Sequence, residues 1–170
     1  SLRQLLDAGV DYQARNKSGE TPLHQAAACR DSGLAQLLVE RGSDLNTLNR
    51  QREAPLHKAV KNNRLDVVRM LIAAGATIPD TPQTDTLLHV AARLGYTDMT
   101  DLLLSNGLAP NVTDERSKTP LHVAVSEGHE EIAQLLIRAG ASVSAQDRPG
   151  NTPLHDAAAS GHIGAVKVLL

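Results

Sequence analysis

The chain has 170 residues with no Trp, no Phe and only two Tyr, so its apolar material is almost entirely Leu, Ala, Val and Ile. A single globular core of this size normally uses several large aromatics, so the composition points to thin layers of closely packed helices. Charge is nearly balanced, 17 Lys and Arg against 19 Asp and Glu, which argues against a clustered basic nucleic-acid face, and no apolar run approaches the roughly 18 residues of a membrane span.

In chain order, Ser1 to Gly9 reads only as the second helix of a pair, with Leu5 and Leu6 matching Leu38 and Val39 further on. A tetrapeptide frame then recurs five times: Thr21-Pro22-Leu23-His24, Ala54-Pro55-Leu56-His57, Thr86-Leu87-Leu88-His89, Thr119-Pro120-Leu121-His122 and Thr152-Pro153-Leu154-His155. Successive histidines lie 33, 32, 33 and 33 residues apart, a period that means one supersecondary unit stacked in series. The fourth copy is the clearest. Thr119 is a good N-cap, Pro120 suits the first helical position, and Leu121, Ala124 and Val125 share a face. Gly128 stops this short helix, and Ile132, Leu135 and Leu136 mark the inner side of a second one that Gly140 ends. Small residues after each His (Ala26-Ala27, Ala59-Val60, Ala91-Ala92, Ala124-Val125, Ala157-Ala158) allow neighbouring helices to approach closely.

This pattern resembles the ankyrin repeat, whose T-P-L-H-x-A-A-x-x-G-H motif is matched best by Thr119 to His129 and Thr152 to His162. The resemblance implies an all-α ankyrin-repeat solenoid of stacked helix-turn-helix units with β-hairpin-like finger loops. It also implies a partner-binding face built from finger tips and first helices. On this reading residues 1–170 form one ankyrin-repeat domain: a half-repeat 1–15, repeats 16–48, 49–80, 81–113 and 114–146, and an incomplete repeat 147–170. No polar capping repeat is evident, so the chain reads as a segment of a longer array.

Departures from the pattern fall at three places. The stretch Gly75 to Asp85 is one residue short and holds Pro79 and Pro82, which predicts a stiff, differently aimed finger. Arg30-Asp31 replaces the usual Gly-His in the first repeat, so its inter-helix turn is expected to be displaced. Asn63 takes the glycine slot of the second, and Ala54 lacks a capping hydroxyl there.

Chemistry is mostly argued away. Five histidines in one slot form a ladder at the stacking distance of roughly 8–10 Å, whereas zinc ligands must converge on bonds of about 2 Å. Each His is read as tying its repeat's finger to the first helix, and His129 and His162 as structural turn residues. No catalytic set, cofactor loop or metal site is discernible, and neither Asn16-Lys17-Ser18 nor Asn111-Val112-Thr113 is read as a used glycosylation site. The single Cys29 cannot form an internal disulfide and is read as passive packing, while Glu127, Glu130 and Glu131 read as a solvated helix start.

What remains is a surface. By the family's geometry the groove-facing positions are Arg15, Lys17, Glu20, Cys29, Leu48, Arg50, Glu53, Lys61 and Asn62 in the first two repeats. Arg93, Leu94 and the nearby Tyr96 follow in the third, then Glu115, Arg116, Lys118, Glu127, Arg148 and Asn151 in the fourth and fifth. Arg, exposed Leu and Tyr are natural anchors. The Leu38 and Asp44-Leu45-Asn46 string looks like the finger context in which asparaginyl hydroxylases modify ankyrin proteins, making Asn46 a candidate hydroxylation site. Asn111, preceded by Ala109-Pro110, is a poor one.

The expected function is a non-catalytic scaffold or adaptor binding another protein or peptide segment, with no cofactor, nucleic acid or membrane insertion. The segment is expected to be monomeric and to reside in the cytoplasm or nucleus. The competing expectation is a regulatory segment of a larger signalling enzyme, receptor-adaptor or channel subunit.

Overall fold

The computed structural model describes Gly9, residues 11–78 and residues 86–170, and it divides into two compact units, residues 1–78 and residues 79–170. The expected leading half-repeat helix and the proline-rich finger at 79–85 lie outside the described residues. In the first unit α1 (Pro22–Ala28) and α2 (Ser32–Glu40) form one antiparallel pair, and α3 (Pro55–Lys61) and α4 (Leu65–Ala73) form the next. The second unit holds three pairs. These are α5 (Leu87–Leu94) with α6 (Thr97–Ser105), α7 (Pro120–Ser126) with α8 (Glu130–Arg138), and α9 (Pro153–Ala159) with α10 (Ile163–Leu169). Among the described residues there is no strand, and no helix is long and apolar enough to cross a membrane.

Each first helix starts as the motif dictates. The N-cap residue is extended, Pro occupies the first turn in four of the five copies, and His stands at the third helical position. First helices pack on first helices and second on second within each unit. The frame leucines Leu23, Leu56, Leu88 and Leu121 are completely buried by this stacking, each contributing roughly 1.5–3 kcal/mol. Leu154, in the same slot of the last pair, is 36 % exposed, so its contribution is smaller.

Three irregular turns are resolved. Asn63 does adopt the left-handed conformation (φ 53°) expected of its slot. Gly128 (φ 76°) does so under the ring of His162, which would lie 2.8 Å from any added Cβ. The displacement expected of the first pair's turn is not found: α2 begins eight residues after His24, as α4 does after His57 and α8 after His122, with Asp31 in the shared N-cap slot accepting from Gly33 N at 2.9 Å. Ala54 has no side-chain oxygen, so only its backbone N–H meets His57 Nδ1, at 3.1 Å.

Candidate functional site

The histidine ladder is the frame on which the surface is hung. His24 accepts at Nδ1 from Thr21 N (3.1 Å), with Thr21 Oγ1 at 2.9 Å, and its Nε2 lies 2.9 Å from the Glu53 carbonyl. A carbonyl only accepts, so the proton sits on Nε2 and Nδ1 is left as the acceptor. His122 repeats this with Thr119 (3.1 Å to N, 2.9 Å to Oγ1) and the Asn151 carbonyl (3.0 Å). His89 joins Thr86 Oγ1 (2.7 Å) to the Lys118 carbonyl (2.8 Å). The sequence reading needs correcting here, because each Nε2 bond reaches the finger of the following repeat and not the histidine's own. The ring is therefore an inter-repeat tie. His155 keeps only its local bonds, to Thr152 N (3.2 Å) and Oγ1 (2.9 Å), and is exposed. Burial holds the His24 and His57 rings below the usual imidazole range; for His24 it overcomes the opposing bond to the Glu53 carbonyl. Both are thus suited to stay neutral.

Fingers are tight turns closed by one repeated device. The oxygen of Asn16 accepts from Ser18 N and Glu20 N, both at 2.9 Å, and that of Asn49 from Gln51 N and Glu53 N at the same distance. Asp114 does the same for Arg116 N and Lys118 N at 2.8 Å, and Asp147 accepts from Asn151 N at 2.7 Å. Neighbouring fingers are joined backbone to backbone, Arg50 N to Ser18 O and Arg148 N to Arg116 O, each at 3.0 Å. Four equivalent tip residues have positive φ: Gly19 (74°), Arg52 (61°), Ser117 (61°) and Gly150 (90°).

Burial separates the expected surface residues into two groups. Arg15, Lys17, Leu48, Arg50, Lys61 and Asn62 are exposed in the first unit, and Arg93, Leu94, Glu115, Arg116, Glu127 and Arg148 in the second. Glu20 and Glu53 are buried, which corrects their assignment as contact residues. Glu20 pairs with Lys58 at 2.6 Å and accepts from Gln25; Glu53 pairs with Lys61 and accepts from Asn49 Nδ2 at 3.3 Å. A hydrogen bond from Lys58 leads in holding Glu20 below the usual carboxylate range. For Glu53 burial pushes upward, and the bonds from Lys61 and Asn49 outweigh it.

Lys118 is half-buried and bridges Asp156 (2.6 Å) and Asp147 (3.8 Å). Asn151 is half-buried over Asp147, Asn62 donates to the Lys58 carbonyl at 2.8 Å, and Tyr96 is half-buried at the start of α6. Cys29 is exposed rather than packed, its thiol directed at the Gln25 carbonyl at 3.2 Å.

The pairs Glu20–Lys58 and Lys118–Asp156 occupy equivalent slots, 38 residues apart, with the signs reversed. Lys58, Asp147 and Asp156 were not among the expected residues. The signal for Lys58 and Asp156 was the position directly after the frame histidine (Gln25, Lys58, Val90, Val123, Asp156), which varies among the copies; that for Asp147 was the finger-closing slot it shares with Asn16, Asn49 and Asp114.

In the second unit the exposed residues converge. An open groove of about 520 Å³ is lined by Arg93 from α5, by Val123, Ser126 and Glu127 on and just after α7, and by finger residues Asp114, Glu115, Arg116 and Lys118, with His122 at its floor. Five of the expected residues thus share one trough. Its polar walls and fixed backbone suit recognition of an extended polypeptide. Among the described residues, no group of three His, Cys, Asp or Glu side chains is placed to hold a metal ion.

Helix pairs stacked within each unit, with the buried rings of His24, His89 and His122 tied to the finger of the following repeat, define a helical repeat protein. A sequence profile described as ankyrin repeats, three copies in series, matches residues 1–82 and again residues 88–170. The chain belongs to the ankyrin-repeat family, its fold is the all-α ankyrin solenoid, and such repeats are in general non-catalytic protein–protein interaction modules.

Proposed function

We propose that the chain is a scaffold or adaptor module, monomeric in the cytoplasm or nucleus, that binds a segment of a partner protein along its finger tips and first helices. The observation that carries this is the groove in which Arg93, Glu115, Arg116, Lys118 and Glu127 meet. Leu94, 45 % exposed beside Arg93, adds an apolar contact. A few such anchors on a rigid frame supply affinity without any bond-making group. The repeat bounds given above stand as part of this proposal. A photo-crosslinking residue at Ser126, on the groove wall, captures the partner, while one at Gln134 on the exposed side of α8 does not. Capture from Gln134 alone would put the binding face on the second helices and end this reading. Lys61 is a poor probe, because its reversal strips the buried Glu53 of its cation; Leu94→Glu and Arg116→Glu are the clean ones.

A second proposal concerns Asn46, which is exposed at the entry to a finger. Its Oδ1 accepts from Thr77 N at 2.8 Å, and its own N–H meets Asp44 Oδ1 at 2.9 Å. Gain of one oxygen atom on the Asn46 peptide after incubation with an asparaginyl hydroxylase supports it, and an unchanged mass rejects it.

A further inference from the structure

The floor of the groove repeats along the stack. In the second unit the position directly after the frame histidine is Val90 on α5, Val123 on α7 and Asp156 on α9. Val123 belongs to the groove lining, and Asp156 is joined to the wall residue Lys118 at 2.6 Å. α7 packs on α5 and on α9. His89 and His122 each reach the finger carbonyl 29 residues further on, at 2.8 and 3.0 Å, so the step from Val90 to Val123 is repeated from Val123 to Asp156. Packed helices lie roughly 8–10 Å apart, and a segment bound along the stack has to match that interval.

Each regular backbone has its own spacing. An extended strand turns alternate side chains to opposite faces, so its same-face residues fall about 6.6 or 13.2 Å apart. An α-helix returns to one side after about seven residues, or about 10.5 Å, but it is about 10–12 Å across, which is broad for an open groove of about 520 Å³. A polyproline II segment has three residues per turn at about 3.1 Å each, so every third side chain returns to the same side after about 9.3 Å. That spacing falls within the helix-to-helix interval. Such a segment makes no internal hydrogen bonds, and Arg116 and Ser126 stand on the groove walls as donors for its carbonyls.

Resting on the interaction-module reading above, we propose that the groove binds a partner segment in the polyproline II conformation with a small apolar residue at every third position, one over Val90 and the next over Val123. The residue three places further on meets Asp156 and Lys118 and is polar. Neither Trp nor Phe is present to stack on proline rings, so register along the layers selects the segment.

The test is fluorescence anisotropy with a labelled Val-Pro-Pro-Val-Pro-Pro-Ser peptide. Controls are Pro-Val-Pro-Val-Pro-Pro-Ser, with the same residues but the valines two apart, the flexible Val-Gly-Gly-Val-Gly-Gly-Ser, and a helical peptide with Val at every seventh position. The first peptide binds, and each control binds more weakly by about tenfold or more, one decade being about 1.4 kcal/mol. Val123→Lys lowers the affinity by a similar factor; Lys58 holds that slot on α3, so the fold accepts the side chain. Ser126→Arg, which narrows the trough without altering its floor, does the same, and Gln134→Arg on the exposed side of α8 leaves binding unchanged. Circular dichroism confirms that each variant is folded. No binding of the first peptide, equal binding of the two-apart peptide, tighter binding of the helical one, or undiminished binding by Val123→Lys would each overturn the proposal. A partner crosslinked at Ser126 that the first peptide fails to displace would remove this inference and leave the interaction-module reading standing, whereas capture from Gln134 alone would remove both.

Discussion

Removing one frame histidine should cost very different amounts depending on its place in the stack, although the surrounding motif is the same. His122 is fully buried, satisfies Thr119 N through Nδ1 and holds the Asn151 carbonyl of the next finger through Nε2. His122→Ala leaves both groups without a partner, at about 1–3 kcal/mol for each buried group, and opens a void in the layer besides. We expect a loss of about 3 kcal/mol. His155 is exposed, makes only its local contacts to Thr152, and water can replace them, so His155→Ala should cost no more than about 1 kcal/mol. With no Trp in the chain, urea unfolding followed by far-ultraviolet circular dichroism is the assay, the midpoints being compared at matched slopes. Equal shifts for the two variants would show that the local capping bonds alone carry the histidine's contribution and that the tie to the next finger is idle.

Three further outcomes follow from the same geometry. Ser117→Gly relieves a left-handed non-glycine residue and should raise the unfolding free energy, read from the urea midpoint, by about 1 kcal/mol. Because His24 and His57 have their pKa depressed on folding, their contribution is complete above the unfolded value of 6.5 and is lost as pH falls below it; the melting temperature should drop between pH 7.5 and 5.5, before the depressed carboxylates of Glu20 and Glu53 titrate, and a flat profile would refute this. Lys118→Glu should destabilise by roughly 1 kcal/mol, and adding Asp156→Lys should recover most of the loss, since Glu20–Lys58 already works with that polarity; no recovery in the double variant would show that the pair is not independent of its surroundings.

Much of the architecture could be read directly from residue type and period. Thr119-Pro120 sets a helix start whatever surrounds it, and the Leu121, Ala124, Val125 spacing fixes which side is covered. The exposed face was legible only as a set of slots. Glu20 and Glu53 look like any surface acid in sequence, because burial depends on Lys58 and Lys61 arriving from elsewhere. Their partners stand one and four places after the frame histidine, in slots whose side chain varies among the copies. The histidine tie was misassigned by one layer, since sequence distance favours a residue's own finger while the stacked geometry brings the next one within 2.8–3.0 Å. The shifted turn expected from Arg30-Asp31 did not form, because Asp31 takes the same N-cap slot that Arg64, Tyr96, His129 and His162 take in the other pairs.

The opposite polarity of the Glu20–Lys58 and Lys118–Asp156 contacts distinguishes the layers that carry them. Were the segments shuffled so that the Lys118 layer preceded the Lys58 layer, two ammonium groups would confront each other at the edge of the core. Homology among the modules therefore does not make them exchangeable: their order is written in charge, and recombination that scrambles it meets a penalty before any ligand is involved.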